Sequence, residues 1–139
     1  MNAYGPLVEQ IRSAGLRPTR QRLALAKLLF DGKDRHVTAE ILHLEAQSEK
    51  FKVSLATVYN TLHQFTSAGL LREVSVNASR SYFDTNTGHH HHFYYEKDGK
   101  LRDIPDGIIS IGKLPTAPEG TKIKSVDIVV TITNSDNDY

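Results

Sequence analysis

The sequence predicts an α+β protein, with helices in its first half and a small β-sheet in its second half. Three observations lead to this prediction. Apolar residues recur at helical spacing in successive segments before residue 70. After that point β-branched and aromatic runs separated by turn residues replace the helical pattern. Between the two halves lies an unbroken run of four histidines, His89–His92, followed at once by Phe93–Tyr95.

The composition limits the class of protein. A chain of 139 residues fits one ordinary domain or two small ones, and 39% hydrophobic with 24% charged residues is typical of globular proteins. No apolar run reaches the roughly 18 residues of a membrane span, and no signal-peptide pattern opens the chain, so we expect a cytoplasmic protein without a membrane partner. The absence of cysteine excludes disulfides, thiolate-bound zinc and a cysteine nucleophile.

The net charge of +1 conceals an asymmetry. Residues 1–83 carry 11 Lys and Arg against 7 Asp and Glu, a balance of +4. Residues 84–139 carry 6 against 9, a balance of −3. A basic first half and an acidic second half indicate that only the first half meets a polyanion.

The first two predicted helices precede residue 31. A short amphipathic helix ends at Gly15, and the next helix has Thr19 as its N-cap. Arg20 and Arg22 stand in the first turns of that second helix, where cations oppose the helix dipole, so a phosphate partner is worth considering. The apolar residues of the two helices are Leu7, Val8, Ile11, Leu25, Leu28 and Leu29.

Two further helices are predicted from the N-caps Thr38 and Ser54. The later one has the clearest apolar periodicity in the chain and ends at Gly69. The residues expected to be buried are Ile41, Leu42 and Leu44 in the third helix and Leu55, Val58, Leu62 and Phe65 in the fourth. The opposite face of the fourth helix carries Ala56, Thr57, Asn60 and Gln64, with Tyr59 and His63 at its edge.

Two strands, at 70–76 and 81–83, follow the fourth helix. Helices joined by a tight turn and followed by a hairpin are the pattern of a winged helix-turn-helix, whose second helix enters the DNA major groove. We therefore interpret residues 1–84 as a winged-helix domain that binds double-stranded DNA. The alternative is an ordinary helical bundle whose polar face meets only water. The candidate DNA contacts are Arg17, Arg20, Arg22, Thr57, Tyr59, Asn60 and Arg80.

The second domain, residues 85–139, is predicted to be a small sheet. A turn at 96–100 joins strands at 92–95 and 101–104, an apolar piece covers 108–114, and Val126–Thr133 is the strongest strand signal. Residues 134–139 are expected to fray. A sheet of about 55 residues is marginal alone, so pairing with a second copy of the chain is expected.

The histidine run favours a ligand site over a solvated polar patch. It lies in the interior of the chain and leads into an apolar strand, unlike a purification tag. Imidazole is the commonest protein ligand for borderline metals. Since side chains alternate along a strand, His90 and His92 share one face and His89 and His91 the other.

Three blocks resemble the ferric uptake regulator (Fur) family, and the resemblance covers roughly residues 10–104. They are Leu16–Arg22, His36–Glu40 and Ser54–Leu62, with the third block ending in Ala68–Leu70. The histidine run without cysteine is most similar to the iron response regulator (Irr) branch. The resemblance implies a dimeric repressor that controls iron and haem metabolism genes from an AT-rich inverted repeat. It also implies that residues 85–139 form a sensory and dimerisation domain.

The resemblance further implies a metal site. Carried over by position, its ligands are His36, Asp84, His90, His92 and Asp103. Three imidazoles and two carboxylates suit Fe²⁺, Mn²⁺ or Zn²⁺. An ion held by residues of both halves would fix one half against the other and so bias two DNA-binding poses.

The chain also departs from the family. A structural zinc site made of four cysteines cannot form, a second family metal site would fall on Ser110 and about Val126, and a Gly/Pro stretch replaces the helix after the first hairpin. The haem-binding Cys-Pro motif is absent, so haem would need His90, His91 or His92 as an axial ligand. We expect haem to bind, because four adjacent histidines offer more ligands than one small ion requires.

Two other functions fit parts of the sequence. A histidine-rich metal chaperone or buffer would use the same histidines but would lack sequence-specific DNA binding. A small metal-dependent hydrolase would need a general base beside the histidines, and the sequence offers none. We therefore expect a regulator and not an enzyme.

Overall fold

The computed structural model describes residues 4–77 and 79–135. The chain divides into two compact units, the N-terminal unit Met1–Thr87 and the C-terminal unit Gly88–Tyr139. Among the described residues, no helix is both long and apolar enough to cross a bilayer.

Four helices make up most of the N-terminal unit: α1 (Gly5–Ser13), α2 (Arg20–Phe30), α3 (Ala39–Ser48) and α4 (Leu55–Ser67). The three predicted N-caps are confirmed. Thr19, Thr38 and Ser54 each accept a hydrogen bond from the backbone N–H three residues later, at 3.1–3.2 Å. Each bond satisfies a donor that the first helical turn leaves without an intrahelical partner.

The N-terminal unit also contains a three-stranded antiparallel sheet in the order β1-β3-β2. Its strands are β1 (His36–Val37), β2 (Arg72–Asn77) and β3 (Arg80–Asp84). The hairpin of β2 and β3 was predicted, but β1 was not, because two residues carry no periodic signal. The register of β1 on β3 pairs His36 with Asp84 and Val37 with Phe83.

The core of the N-terminal unit lies between its helices and the inner face of this sheet. Leu42 is fully buried, but Ile41 is 42% exposed and Leu44 is 62% exposed, so their predicted burial is wrong. Helix α3 packs on α2 and α4 through Ala39, Leu42 and Ala46, and neighbouring helical positions turn away from that seam. The buried cluster consists of Leu7, Ile11, Leu25, Ala26, Leu29, Val37, Ala39, Leu42, Ala46, Val58, Leu62, Phe65, Leu71 and Phe83.

The C-terminal unit contains a second three-stranded sheet, in the order β5-β4-β6. Its strands are β4 (His92–Tyr95), β5 (Lys100–Asp103) and β6 (Val129–Ile132). Strand β5 is antiparallel to β4, as predicted, whereas β6 is parallel to β4. The strand predicted at Val126–Thr133 is shorter than expected, because β4 offers pairing partners only from His92 to Tyr95. Part of the predicted frayed tail, residues 136–139, lies outside the described residues.

Candidate metal centre and nucleic-acid interface

The N-terminal unit brings His36 and Asp84 together. Both stand at strand positions paired by the β1–β3 register. The His36 Nε2 atom lies 3.1 Å from Asp84 Oδ2, and the Asp84 side chain is 1% exposed. The other carboxylate oxygen accepts a hydrogen bond from the Asn86 N–H at 2.9 Å, which fixes the orientation of the carboxylate.

The segment that carries this pair is fixed by contacts that sequence reasoning missed. The Arg35 N–H donates to Thr85 Oγ1 at 2.8 Å, and the Thr85 N–H donates to the Arg35 carbonyl at 3.0 Å. The Arg35 guanidinium forms a two-pronged contact with Glu45 on α3, at 2.9 and 2.6 Å. It also donates to the Leu28 carbonyl on α2 at 3.1 Å. An arginine beside a histidine is not a recognisable sequence signal, so these contacts could not have been predicted.

The C-terminal unit brings His90, His92 and Asp103 together. Asp103 Oδ1 lies 3.1 Å from His90 Nε2 and 3.4 Å from His92 Nε2. The two imidazole rings are 4.4 Å apart, and both histidines are buried. Strand pairing explains the geometry, because His92 lies directly opposite Asp103 in the β4–β5 register.

The chemistry of this group fits a cation. His90 Nδ1 lies 2.6 Å from the Gly88 carbonyl, which can only accept, so Nδ1 carries the proton. The lone pair of the neutral ring is therefore on Nε2, the atom that faces the Asp103 carboxylate. Two acceptors at this distance require a proton or a metal ion to join them. A carbonyl that fixes the tautomer of a histidine is the usual support behind a metal-binding imidazole.

The other two histidines of the run have different partners. His91 Nδ1 accepts the Ile128 N–H at 3.1 Å, and His89 Nε2 lies 3.0 Å from the Val126 carbonyl. The alternation along the run thus separates the two pairs, as predicted. Since His91 Nδ1 accepts, the proton of its neutral ring is on Nε2, and that nitrogen has no lone pair for an iron atom. Among the haem candidates, His91 is therefore the least suited.

Helix α4 presents the predicted base-reading residues. Tyr59 and Asn60 are exposed, opposite the buried Val58 and Leu62. Thr57 is half-buried, and its hydroxyl oxygen accepts a hydrogen bond from the Ser54 hydroxyl at 2.9 Å. One of its hydrogen-bonding positions is therefore already occupied within the protein.

Tyr59 has a partner on α3 that the sequence did not reveal. Its hydroxyl donates to Glu40 Oε2 at 3.0 Å. This hydrogen bond, followed by partial burial and the Glu40 charge, raises the pKa of the Tyr59 phenol. The Tyr59 ring also stacks on His63, with centroids 6.3 Å apart. Tyr59 is thus held in place while the residue remains 37% exposed.

The predicted phosphate contacts fall into two kinds. Arg17, Arg20 and Arg80 have exposed side chains. Arg22 is half-buried and donates to the Arg17 carbonyl at 2.9 Å and to Gln64 on α4 at 3.0 Å. Arg22 therefore also positions α4, a role that its sequence neighbourhood did not indicate.

Comparison with known proteins gives consistent results. The model of the ferric uptake regulator family matches residues 13–131. The peroxide-responsive repressor PerR of Staphylococcus epidermidis is 39% identical over 98 residues, which cover 70% of this chain and 64% of that protein. A PerR of Staphylococcus aureus is 34% identical over 97 residues, covering 70% and 65%. The matched part of the chain thus spans slightly less than two thirds of these relatives.

Solved structures confirm the predicted α+β fold. The ferric uptake regulator of Vibrio cholerae aligns with a TM-score of 0.73 and 22% identity, covering 92% of this chain and 99% of that one. The ferric uptake regulator of Pseudomonas aeruginosa, solved with manganese, aligns with a TM-score of 0.68 and 24% identity, covering 91% and 96%. At these identities the likeness concerns the fold.

Proposed function

Because the chain belongs to the ferric uptake regulator family, we propose that it is a metal-responsive transcriptional repressor that binds double-stranded DNA as a homodimer. The family consists of transcription regulators, which argues against the hydrolase considered above. The observation that carries the metal-responsive part is the meeting of imidazole Nε2 atoms with carboxylate oxygens inside each unit.

We propose that one divalent ion takes its ligands from both units. The ligands would be His36, Asp84, His90, His92 and Asp103. A bound ion would supply the positive charge that these acceptors lack, and the donor set without thiolate suits Mn²⁺, Fe²⁺ or Zn²⁺. The manganese in the Pseudomonas aeruginosa regulator supports an ion of this class.

The N-terminal unit would read DNA through α4. Asn60 can pair bidentately with adenine, and the Tyr59 ring can pack on a thymine methyl group. Arg17, Arg20 and Arg80 would contact phosphates, and Thr57 and Arg22 would add contacts beside the base-reading residues. A dimer with two such units matches an inverted repeat, for which we propose an AT-rich sequence.

We propose that the ion strengthens DNA binding. Any part of a protein that has to become ordered when it binds DNA reduces the affinity. An ion with ligands from both units would restrict the N-terminal unit before DNA arrives, so less affinity would be lost to ordering.

A second candidate keeps the same fold and changes the ligand. Four adjacent histidines favour haem, which would place the chain in the iron response regulator branch with genes of iron and haem metabolism as targets. The contacts of His90 and His92 with Asp103 favour a small ion, since haem iron has no need of that carboxylate.

A gel-shift experiment tests the proposal. The protein is incubated with an AT-rich inverted repeat and with a scrambled duplex of equal composition, in Mn²⁺, in haem or in chelator alone. We expect Mn²⁺ to strengthen binding to the repeat and not to the scrambled duplex. A response to haem alone would favour the second candidate. Metal binding without preference for the repeat would indicate a metal chaperone or buffer instead.

A further inference from the structure

Helix α3 contacts both functional regions of the N-terminal unit. Near its C-terminal end, Glu45 accepts the two-pronged contact from Arg35, the residue directly before His36. Near its N-terminal end, Glu40 accepts the hydroxyl of Tyr59 on α4. Five residues at 1.5 Å each separate the two glutamates by only about 7.5 Å along the helix.

The geometry of the Arg35–Glu45 contact suits it to pass a displacement near His36 on to α3. Its two hydrogen bonds to Glu45 form a planar fork, which fixes direction as well as distance. Both backbone polar groups of Arg35 are bonded to Thr85, the residue directly after Asp84. The residues adjoining His36 and Asp84 are therefore joined to each other and, through one guanidinium, to α3.

The Glu40 contact completes the connection at the other end. Tyr59 is one of the two exposed residues that we assign to base reading, and its hydroxyl has Glu40 as acceptor. This hydrogen bond is the main cause of the raised pKa of the Tyr59 phenol. A shift of α3 would therefore move the atom that orients the Tyr59 ring.

We propose that the Arg35–Glu45 fork is the contact through which an ion at His36 and Asp84 sets the position of α3, and through Glu40 the position of Tyr59. Arg35 and Glu45 are positioning residues that touch neither the ion nor DNA. This inference rests on the proposed function, because it requires that metal changes DNA affinity. The inference adds which parts of the fold, the Arg35–Glu45 fork and α3, transmit the change in DNA affinity.

The test compares DNA affinity with and without metal. For each variant, the dissociation constant for the inverted repeat is measured in chelator and in saturating Mn²⁺. The ratio is the value in chelator divided by the value in Mn²⁺, so a high ratio means that Mn²⁺ strengthens DNA binding. Arg35→Lys keeps the charge and loses the fork, whereas Glu45→Gln keeps the shape and loses the charge. We expect each substitution to lower the ratio by roughly 2- to 30-fold. The double variant should resemble either single variant, since the two residues act as a unit.

Glu9→Gln is the matched control. Glu9 forms an exposed ion pair with Arg12 on α1, at 3.7 Å, so it undergoes the same chemical change away from α3. We expect the control to keep the wild-type ratio. Thermal melting and Mn²⁺ affinity are measured in parallel. Variants that melt earlier but keep the wild-type ratio would overturn the proposal, because Arg35 and Glu45 would then serve stability alone.

A wild-type measurement covers the case in which a substitution prevents folding. Mn²⁺ should slow hydrogen exchange in the peptide that covers α3, residues 39–48. Unchanged exchange in α3 beside a clear gain in DNA affinity would overturn the route and leave the proposed function intact. If Mn²⁺ does not change the DNA affinity of the wild type, the proposed function itself fails.

Discussion

At the scale of single residues, the tautomers of the histidines decide which nitrogens can bind an ion. The Gly88 carbonyl keeps the proton of His90 on Nδ1 and leaves Nε2 for a cation, whereas the Ile128 N–H imposes the opposite tautomer on His91. Adjacent residues of identical chemistry thus take different roles because their backbone partners differ. The backbone partners, and not the imidazole, determine which histidine offers Nε2 to an ion.

The first prediction concerns the Asp103 carboxylate. Asp103→Asn removes the charge that faces His90 and His92, and should weaken Mn²⁺ binding by at least about tenfold. Calorimetric titration measures the affinity. His89→Ala is the control, since the His89 ring contacts the Val126 carbonyl and should leave the affinity unchanged. Equal loss in both variants would show that the whole run binds the ion without distinction. Haem binding that is insensitive to Asp103→Asn would favour the second candidate.

The second prediction concerns the ionisation of Tyr59. Its hydrogen bond to Glu40 favours the protonated phenol, so its pKa lies above the usual value of 10.0. The bond therefore stabilises the fold fully below that pH and is lost as the pH rises through the raised pKa. A spectrophotometric titration of the wild type minus that of Tyr59→Phe isolates this group. Glu40→Gln should shift the difference curve to lower pH, and an unshifted curve would argue against the bond.

Sequence reasoning at this scale found the side chains that carry chemistry but not those that hold them. His36, His90 and Asp103 were named because imidazole and carboxylate are recognisable ligands, with the family resemblance supplying their positions. The contacts of Arg35 and Glu40 were not predicted, because they depend on how α2, α3 and α4 pack. A contact between residues far apart in the sequence cannot be predicted from the spacing of neighbouring residues.

At the scale of elements, α4 packs against the core with one face and leaves the other face exposed for the proposed DNA contacts. Val58, Leu62 and Phe65 bury one face in the core, which leaves Tyr59 and Asn60 on a rigid surface. A residue on such a helix meets a ligand with little loss of conformational entropy. The proposed base reading by Tyr59 and Asn60 would therefore depend on the core residues beneath them.

The third prediction tests this face. Asn60→Ala should weaken binding to the inverted repeat by about 1–3 kcal/mol and binding to scrambled DNA much less, because a bidentate contact to adenine is lost. Fluorescence anisotropy on both duplexes measures the two affinities. The control is Ser67→Ala, an exposed substitution at the far end of α4. Losses of the same size on both duplexes would place Asn60 outside the base-reading surface.

Helices and strands could be predicted from the sequence where they were long or had a capping residue at their ends. The helices were found because each has several turns of periodic residues, and α2, α3 and α4 also have a Thr or Ser N-cap. Strand β1 has two residues and exists only because β3 pairs with it. The parallel pairing of β6 could not be predicted either, since the sequence of an apolar strand does not indicate whether its partner runs parallel or antiparallel.

At the scale of the whole molecule, the C-terminal unit has very little core of its own. Among its described residues, the buried hydrophobic side chains are Tyr94 and Ile104. Its connecting segment exposes large apolar side chains instead, at Ile108, Ile111, Leu114 and Ile123. A unit of this size with so small a core gains stability by association, which supports the proposed homodimer.

The fourth prediction concerns this association. Ile108 is 69% exposed, and Ile108→Asp should raise the dimer dissociation constant by at least about tenfold, because a charge would be buried in an apolar contact. Sedimentation velocity over a range of concentrations measures it. Ile41→Asp, at an exposed apolar position on α3, is the matched control and should leave the dimer intact. A dimer that resists Ile108→Asp but not Ile41→Asp would place the interface on the N-terminal unit.

From the parallel pairing of β4 with β6 we predict the order in which the C-terminal unit assembles. The β4–β5 hairpin joins residues close in sequence and forms on a timescale of roughly 1–10 μs. The Ile128 N–H and its acceptor His91 are 37 residues apart, so that contact waits for a much longer loop to close. Pulsed hydrogen exchange during refolding should therefore protect the Ile104 N–H, which donates to the His91 carbonyl, before the Ile128 N–H. Simultaneous protection would contradict this order. If it holds, the nascent chain presents His90, His92 and Asp103 as a group before its last strand arrives, and an ion can be captured while the unit is still folding.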